Sequence, residues 1–204
     1  MTLEQLQARL QAMKDVSAEA WRASAPALQV IYAGGVREHF QNSVSPSGVP
    51  WPALSHPRPS GGNKPLLDRG LLQASVSALV TEDSITLRAN GPGAAIHQFG
   101  GKIVPVKAQA LAIPITREAQ RSGGPRRFPR QLFRPHGKSY LAESVEKGKG
   151  SKKRTQIIVH FLLRASVTVP ARPYLGISEA TQQRADEVVA NNYVALIQKK
   201  LGLS

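Results

Sequence analysis

The chain has 204 residues, no cysteine, and 27 Lys and Arg against 13 Asp and Glu, for a formal net charge of +14. That length suits one domain with an extension and excludes two large ones. The absence of cysteine excludes disulfides and thiolate zinc sites, and no two of His39, His56, His97, His136 and His160 are spaced to grip a metal from one helix.

No stretch approaches the roughly 20 apolar residues of a membrane helix, and the N-terminus mixes polar and apolar residues around Glu4. A soluble protein made in the cytoplasm, without membrane contact, is expected. Leu3, Leu6, Leu10 and Met13 recur at three- and four-residue steps and predict a helix with one apolar stripe, which Thr2 and Gln5 would start as a capping box. A second helix is predicted from about Ser17 to Phe40, with Ala20, Ala27, Ile31, Gly34 and Phe40 on one face. Pro26 predicts a break or kink near Ala25, and Gly34-Gly35 a close backbone approach or a bend.

From Ser43 to Pro65 six prolines punctuate an irregular, extended loop, which Trp51 would pin to the core. Leu66 to Leu72 reads as a helical turn. Ala74–Val80 and Ile85–Ala89 alternate around Glu82-Asp83, a β-hairpin pattern with one buried face. Ala94 to Phe99 reads as a short helix stopped by Gly100-Gly101. Leu111–Ile115 and Thr155–Leu163 predict strands, the second nearly continuous in apolar character and so expected to be covered on both faces. Arg117 to Arg154 between them reads as a long excursion. Ser166–Val169 is a last short strand. After the extended connector Pro170–Pro173, Ser178 caps a helix to about Leu201 that buries Ala185, Val188, Val189, Asn192, Tyr193, Leu196 and Ile197. The expected fold class is α+β: a small, mainly antiparallel sheet packed by N- and C-terminal helices, in one domain over 1–204 with 102–154 as a basic Gly/Pro-rich insertion or arm.

The charge is concentrated. Lys102 to Arg154 holds 14 basic and three acidic residues, a net of +11, and leaves +3 for the rest. Arg126, Arg127, Arg130, Arg134, Lys152, Lys153 and Arg154 are the candidates for contact with DNA phosphates or with an acidic protein neighbour. Phe128, Phe133 and Tyr140, interleaved with these charges, favour a partner surface.

No catalytic pattern is visible: no GxSxG, no phosphate-binding GxxxxGK[ST], and no carboxylate pair in apolar surroundings. His97 reads as a hydrogen-bonded histidine in a packed helix. A non-enzymatic protein without cofactors is expected.

Four patterns occur in a fixed order. The first is Phe40 followed by Ser45-Pro-Ser-Gly48-Val-Pro-Trp51-Pro-Ala-Leu54. The second is Leu66-Leu-Asp-Arg69-Gly70-Leu71-Leu72. The third is Ala94-Ala-Ile96-His97-Gln98-Phe99-Gly100-Gly101, and the fourth Val169-Pro-Ala-Arg172-Pro173-Tyr174-Leu175-Gly176-Ile-Ser178. Together they resemble the virion-morphogenesis family of Mu-like tailed phages, whose members are called tail completion proteins. The resemblance runs from about Phe40 to the C-terminus and departs at 102–154, which is longer than the connection in compact members.

The resemblance implies a structural virion protein, assembled in the bacterial host cytoplasm and located at the neck. It would form a homo-oligomeric ring, a hexamer by analogy with tail tubes, that caps the tail tube protein, joins a head–tail connector or stopper protein, and surrounds phage DNA in its lumen. The alternative is a basic DNA-binding protein acting in packaging or genome handling. Phe40, Trp51, Arg69, Gly70, Ile96, His97, Gln98, Phe99, Arg172, Pro173, Tyr174 and Gly176 are the expected structural or interface residues. Within them, Ile96 and Phe99 are expected to face the core together, and His97 and Gln98 to bridge to Arg172 or the Trp51 loop.

Overall fold

The structure is a computed structural model that describes residues 2–56, 58–148 and 154–201. By internal contacts the chain divides into two compact units: Met1–Pro52, Pro65–Gln98 and Arg172–Ser204 form the first, Ala53–Lys64 and Phe99–Ala171 the second. Helices at both ends and small antiparallel sheets make the fold α+β, as the sequence implied.

In the first unit, α1 (Leu3–Asn42) is one 40-residue helix. Its capping box is present: Thr2 accepts the Gln5 N–H, and the Gln5 side chain accepts the Thr2 N–H. The expected break at Pro26 does not occur, and the two predicted helices are one. Pro26 is exposed, so its ring meets solvent, and packing on either side holds the turn. Nearby Ser24, fully buried, donates to the Ala20 carbonyl at 2.7 Å and accepts from Asn192 at 2.8 Å.

The buried face also differs from the expected one. Val16, Ala20, Ser24, Leu28, Tyr32, Val36 and Phe40 are buried, one ridge at four-residue steps, whereas Ala27 is exposed. The larger apolar side chains of Leu28, Tyr32 and Val36 decide the face. Leu3, Leu6, Leu10 and Met13 are exposed.

Helix α2 (Leu71–Ala74) leads into the hairpin of β1 (Val76–Val80) and β2 (Ile85–Ala89), in register from Val76↔Ala89 to Val80↔Ile85. Helix α3 (Ala94–Phe99) closes this part of the chain. The C-terminal helix α5 (Glu179–Leu201) starts where expected, with Ser178 Oγ accepting the Thr181 N–H. It packs along α1, joined by the paired Arg184–Glu38 hydrogen bonds of 2.9 and 3.0 Å. Of its predicted inner face only Ala185 is fully buried; Val188, Val189, Asn192, Tyr193, Leu196 and Ile197 are half-buried. Two apolar clusters fill the unit, one of Val36, Phe40, Trp51, Leu72, Val76 and Tyr174, the other of Leu28, Tyr32, Val80 and Ala185.

In the second unit, β3 (Gly101–Ile103) pairs with β7 (Val167–Val169), and a three-stranded antiparallel sheet has the order β4 (Leu111–Pro114), β6 (Arg154–Arg164), β5 (Tyr140–Lys147). The stretch 117–154, read from sequence as an excursion, holds α4 (Arg117–Ser122), a 3-10 turn at Pro125–Arg127, and the eight residues of β5. Strand β6 is central but not covered on both faces: His160 and Phe161 are buried, while Ile157 is exposed. The core of this unit is Ala119, Phe128 and Phe161.

Candidate functional site

Within the first unit, the segment Arg172–Gly176 is held by side chains from three other stretches of chain. Its backbone lacks a regular partner strand, so its polar groups must be met individually. Gln98, on α3, does most of this. Its Oε1 accepts the N–H groups of Tyr174 at 2.9 Å and Leu175 at 3.0 Å, and its Nε2 donates to the Leu175 carbonyl at 3.2 Å. The His97 carbonyl accepts the Arg172 N–H at 2.8 Å.

The proline loop approaches from another direction. Trp51 Nε1 donates to the Pro173 carbonyl at 2.8 Å, and Arg172 Nε donates to the Pro52 carbonyl at 2.8 Å. Two adjacent loop residues are thereby cross-tied to two adjacent residues of the segment. From α1, His39 Nδ1 meets the Tyr174 carbonyl at 3.0 Å. A carbonyl only accepts, so the proton sits on Nδ1.

Tyr174 is the anchor. Its ring is fully buried against Phe40 at 5.1 Å, and Phe40 in turn meets Trp51 edge-on at 5.7 Å. Its hydroxyl donates to the Ala94 carbonyl at 3.2 Å, and burial raises its pKa above the ordinary tyrosine value. Gly176 lies against Pro46: an added Cβ would stand 2.5 Å from the Pro46 Cγ.

Phe40, Trp51, His97, Gln98, Arg172, Pro173, Tyr174 and Gly176 are thus brought together. Phe99 is not; it is 78% exposed and does not share a core face with Ile96, which is half-buried. In so short a helix, the face toward Tyr174 is taken by Ala94 and Gln98. Arg69 is exposed, and Gly70 adopts a left-handed φ of 74° where α2 begins. His39 and the Pro46 and Pro52 contacts were missed, because nothing in their local sequence marks a partner more than a hundred residues away.

The second unit contains a charged cluster around Arg130. Its guanidinium donates to both oxygens of Glu118 and to Glu143, and lies 5.3 Å from the centre of the Phe128 ring. Glu143, nearly buried, also meets His160 Nε2 at 3.0 Å, and His160 Nδ1 meets Thr116 Oγ1 at 2.8 Å. Thr116 Oγ1 accepts the Ala119 N–H as the N-cap of α4. The chain Thr116–His160–Glu143 has the order of a nucleophile, a base and an orienting carboxylate. Its hydroxyl, however, caps a helix, and its histidine is 3% exposed beneath the Phe128 ring at 4.4 Å. The arrangement ties β5, β6, α4 and the 3-10 turn together. A histidine inside the apolar run Ile157–Leu163 was the one available sign of it.

Among the remaining candidate cations, Arg126, Arg127 and Arg154 are exposed, and Arg134 is exposed with its Nε donating to the Lys138 carbonyl at 2.9 Å. Arg154 stands opposite Lys147 in the β5–β6 register. Lys152 and Lys153 lie outside the described residues. Among the described residues no three His, Asp or Glu side chains converge as a metal site.

The model of the phage virion morphogenesis family matches residues 2–193. The chain belongs to the phage virion morphogenesis family. The match takes in both ends of the cradle around Tyr174 and the charged cluster of the second unit, and it assigns the protein to the building of a phage virion. No curated protein and no solved structure matches the chain.

Proposed function

We propose that this family member is a tail completion or tail terminator component at the head–tail neck of a tailed phage. Identical subunits form a ring, six-fold by analogy with tail tubes, that caps the tube, stops its growth and presents a face to the head connector or stopper protein. The observation that carries this reading is the family match over nearly the whole chain. The geometry supports a mechanical, non-enzymatic role. The Trp51, Gln98 and Arg172 side chains around Tyr174 are spent on holding backbone, which rigidifies a surface. In this reading Phe40, Trp51, Gln98, Arg172, Tyr174 and Gly176 set the shape of that surface. Arg126, Arg127 and Arg154 meet an acidic neighbour, or phage DNA in the lumen, with charge that Arg130 spends internally on Glu118 and Glu143.

The test is electron microscopy of particles from a phage lacking this protein. Full heads beside unjoined tails of irregular length are expected. Normally joined virions would overturn the neck role and favour the alternative of a basic protein acting on DNA in packaging.

A further inference from the structure

Helix α1 outruns its companion. Glu19 pairs with Lys200 at 3.2 Å, and Met13 and Val16 face Ile197, so the end of α5 at Leu201 lies beside the fourth turn of α1. The turns before it have no helix beside them among the described residues. They carry Leu3, Leu6 and Leu10, which are 71%, 39% and 52% exposed on a single stripe. Three leucines aligned on one face lose by staying in water.

The same chain has an unfilled place for such a stripe. Two apolar hollows of about 210 and 310 Å³ meet at Tyr193 along the α1–α5 seam. Met13, Val16 and Ile197 line the first; Ala20, Trp21 and Val189 line the second. The seam from Ala12 to Trp21 is about 14 Å long and the stripe from Leu3 to Leu10 about 10 Å, at 1.5 Å per helical residue.

Charge sets both the partner and the direction. Thr2 to Val16 holds Glu4 and Asp15 against Arg9 and Lys14, a neutral face on a chain whose net charge of +14 otherwise keeps copies apart. The groove has Lys200 at one end and Asp186 at the other. Placing Glu4 toward the Lys200 end and Arg9 toward the Asp186 end runs the incoming helix antiparallel to α5 and parallel to α1.

We propose that the first turns of α1 dock, as a third helix, into the α1–α5 groove of a second copy of this chain. Stripe and groove are different surfaces, so the contact is heterologous and joins copies head to tail, the kind of interface a closed ring requires. The proposal rests on the ring reading and supplies its interface.

The absence of native cysteine makes cross-linking a clean test. Ala190, exposed at the groove, is two residues from Asn192, which bonds Ser24. Leu10 is some 14 residues from Ser24 along α1, about 21 Å, so a short bis-maleimide cannot bridge positions 10 and 190 within one copy. The full-length double variant Leu10→Cys/Ala190→Cys is expected to give a ladder of dimers and higher species, and each single variant none. Leu6→Asp, at an exposed position, is expected to keep the wild-type melting temperature and lose assembly in sedimentation. Ladders from either single variant would show a like-with-like contact and overturn the proposal. An assembling wild type with no ladder, or an assembling Leu6→Asp variant, would overturn the interface and leave the ring. A wild type that stays monomeric at high concentration would overturn both.

Discussion

Gln98 Oε1 accepts two successive backbone N–H groups, those of Tyr174 at 2.9 Å and Leu175 at 3.0 Å. One side-chain oxygen therefore replaces a missing strand for two residues. Gln98→Leu keeps the side chain's bulk and strands both donors and the Leu175 carbonyl. Leaving buried polar groups unmet costs about 1–3 kcal/mol each, so the variant is expected to lose at least about 2 kcal/mol in urea unfolding. An unchanged midpoint would show that water meets these groups and that Gln98 is dispensable.

Much of the first unit could be read from local pattern. The Thr2–Gln5 capping box, the β1–β2 hairpin and the Ser178 cap each depend on residues within a few positions of one another. The gathering of Trp51, Gln98, Arg172 and Tyr174 was legible only through the family resemblance, since no local rule joins positions so far apart. Strand β5 was hidden because Glu143, Ser144, Glu146 and Lys147 interrupt its apolar alternation on both sides, and only the pairing with β6 makes it a strand. The exposure of Leu3, Leu6 and Leu10 was illegible for a different reason: an amphipathic stripe reports that a face wants cover, not that the chain itself supplies it.

The adjacent Gly34 and Gly35 should respond to alanine with opposite signs. Both lie in α1 without a positive φ, so space alone decides. Nothing lies within 4 Å of a Cβ at Gly34, and alanine there removes the entropic cost of a helical glycine, about 0.5–1 kcal/mol. A Cβ at Gly35 would overlap the Thr181 side chain, with its Cγ2 at 2.8 Å, and overpacking costs about 1–3 kcal/mol. Thermal melts should therefore rise for Gly34→Ala and fall for Gly35→Ala. Two changes of the same sign would contradict the close approach of α1 and α5 at Thr181.

The cluster around Arg130 predicts an acid-labile second unit. Hydrogen bonds from Arg130 hold the Glu118 and Glu143 carboxyls below the ordinary glutamate range. Groups whose folded pKa is depressed stabilise the fold above the unfolded value, near 4.3, and lose that contribution as pH falls through the folded value. Wild-type stability is thus expected to be flat with respect to these two groups near neutrality and to fall steeply below about pH 4. Arg130→Gln should lower the melting temperature at pH 7 and flatten the acid limb, because the carboxyls return toward their unfolded values. A variant that loses stability equally at pH 7 and pH 3 would show that Arg130 acts by packing on Phe128 instead.

Pro26 sits exposed within an unbroken α1, with no N–H to offer the Arg22 carbonyl. The turn is held from the buried side, where Asn192 donates to Ser24 Oγ and Ser24 donates to the Ala20 carbonyl. Pro26→Ala restores the missing donor on the solvent side without touching the core. It is expected to raise stability by about 1 kcal/mol or more, within the roughly 3 kcal/mol that proline costs a helix interior. Asn192→Leu removes the outer bond of the clamp and is expected to cost about 1 kcal/mol. If the clamp holds the helix where its ladder is interrupted, that loss is smaller in the Pro26→Ala background, a coupling a double-mutant cycle in urea resolves. Strictly additive effects would show that α1 is continuous through Pro26 for reasons independent of Asn192, with the packing of Leu28 and Tyr32 on Ala185 the remaining support.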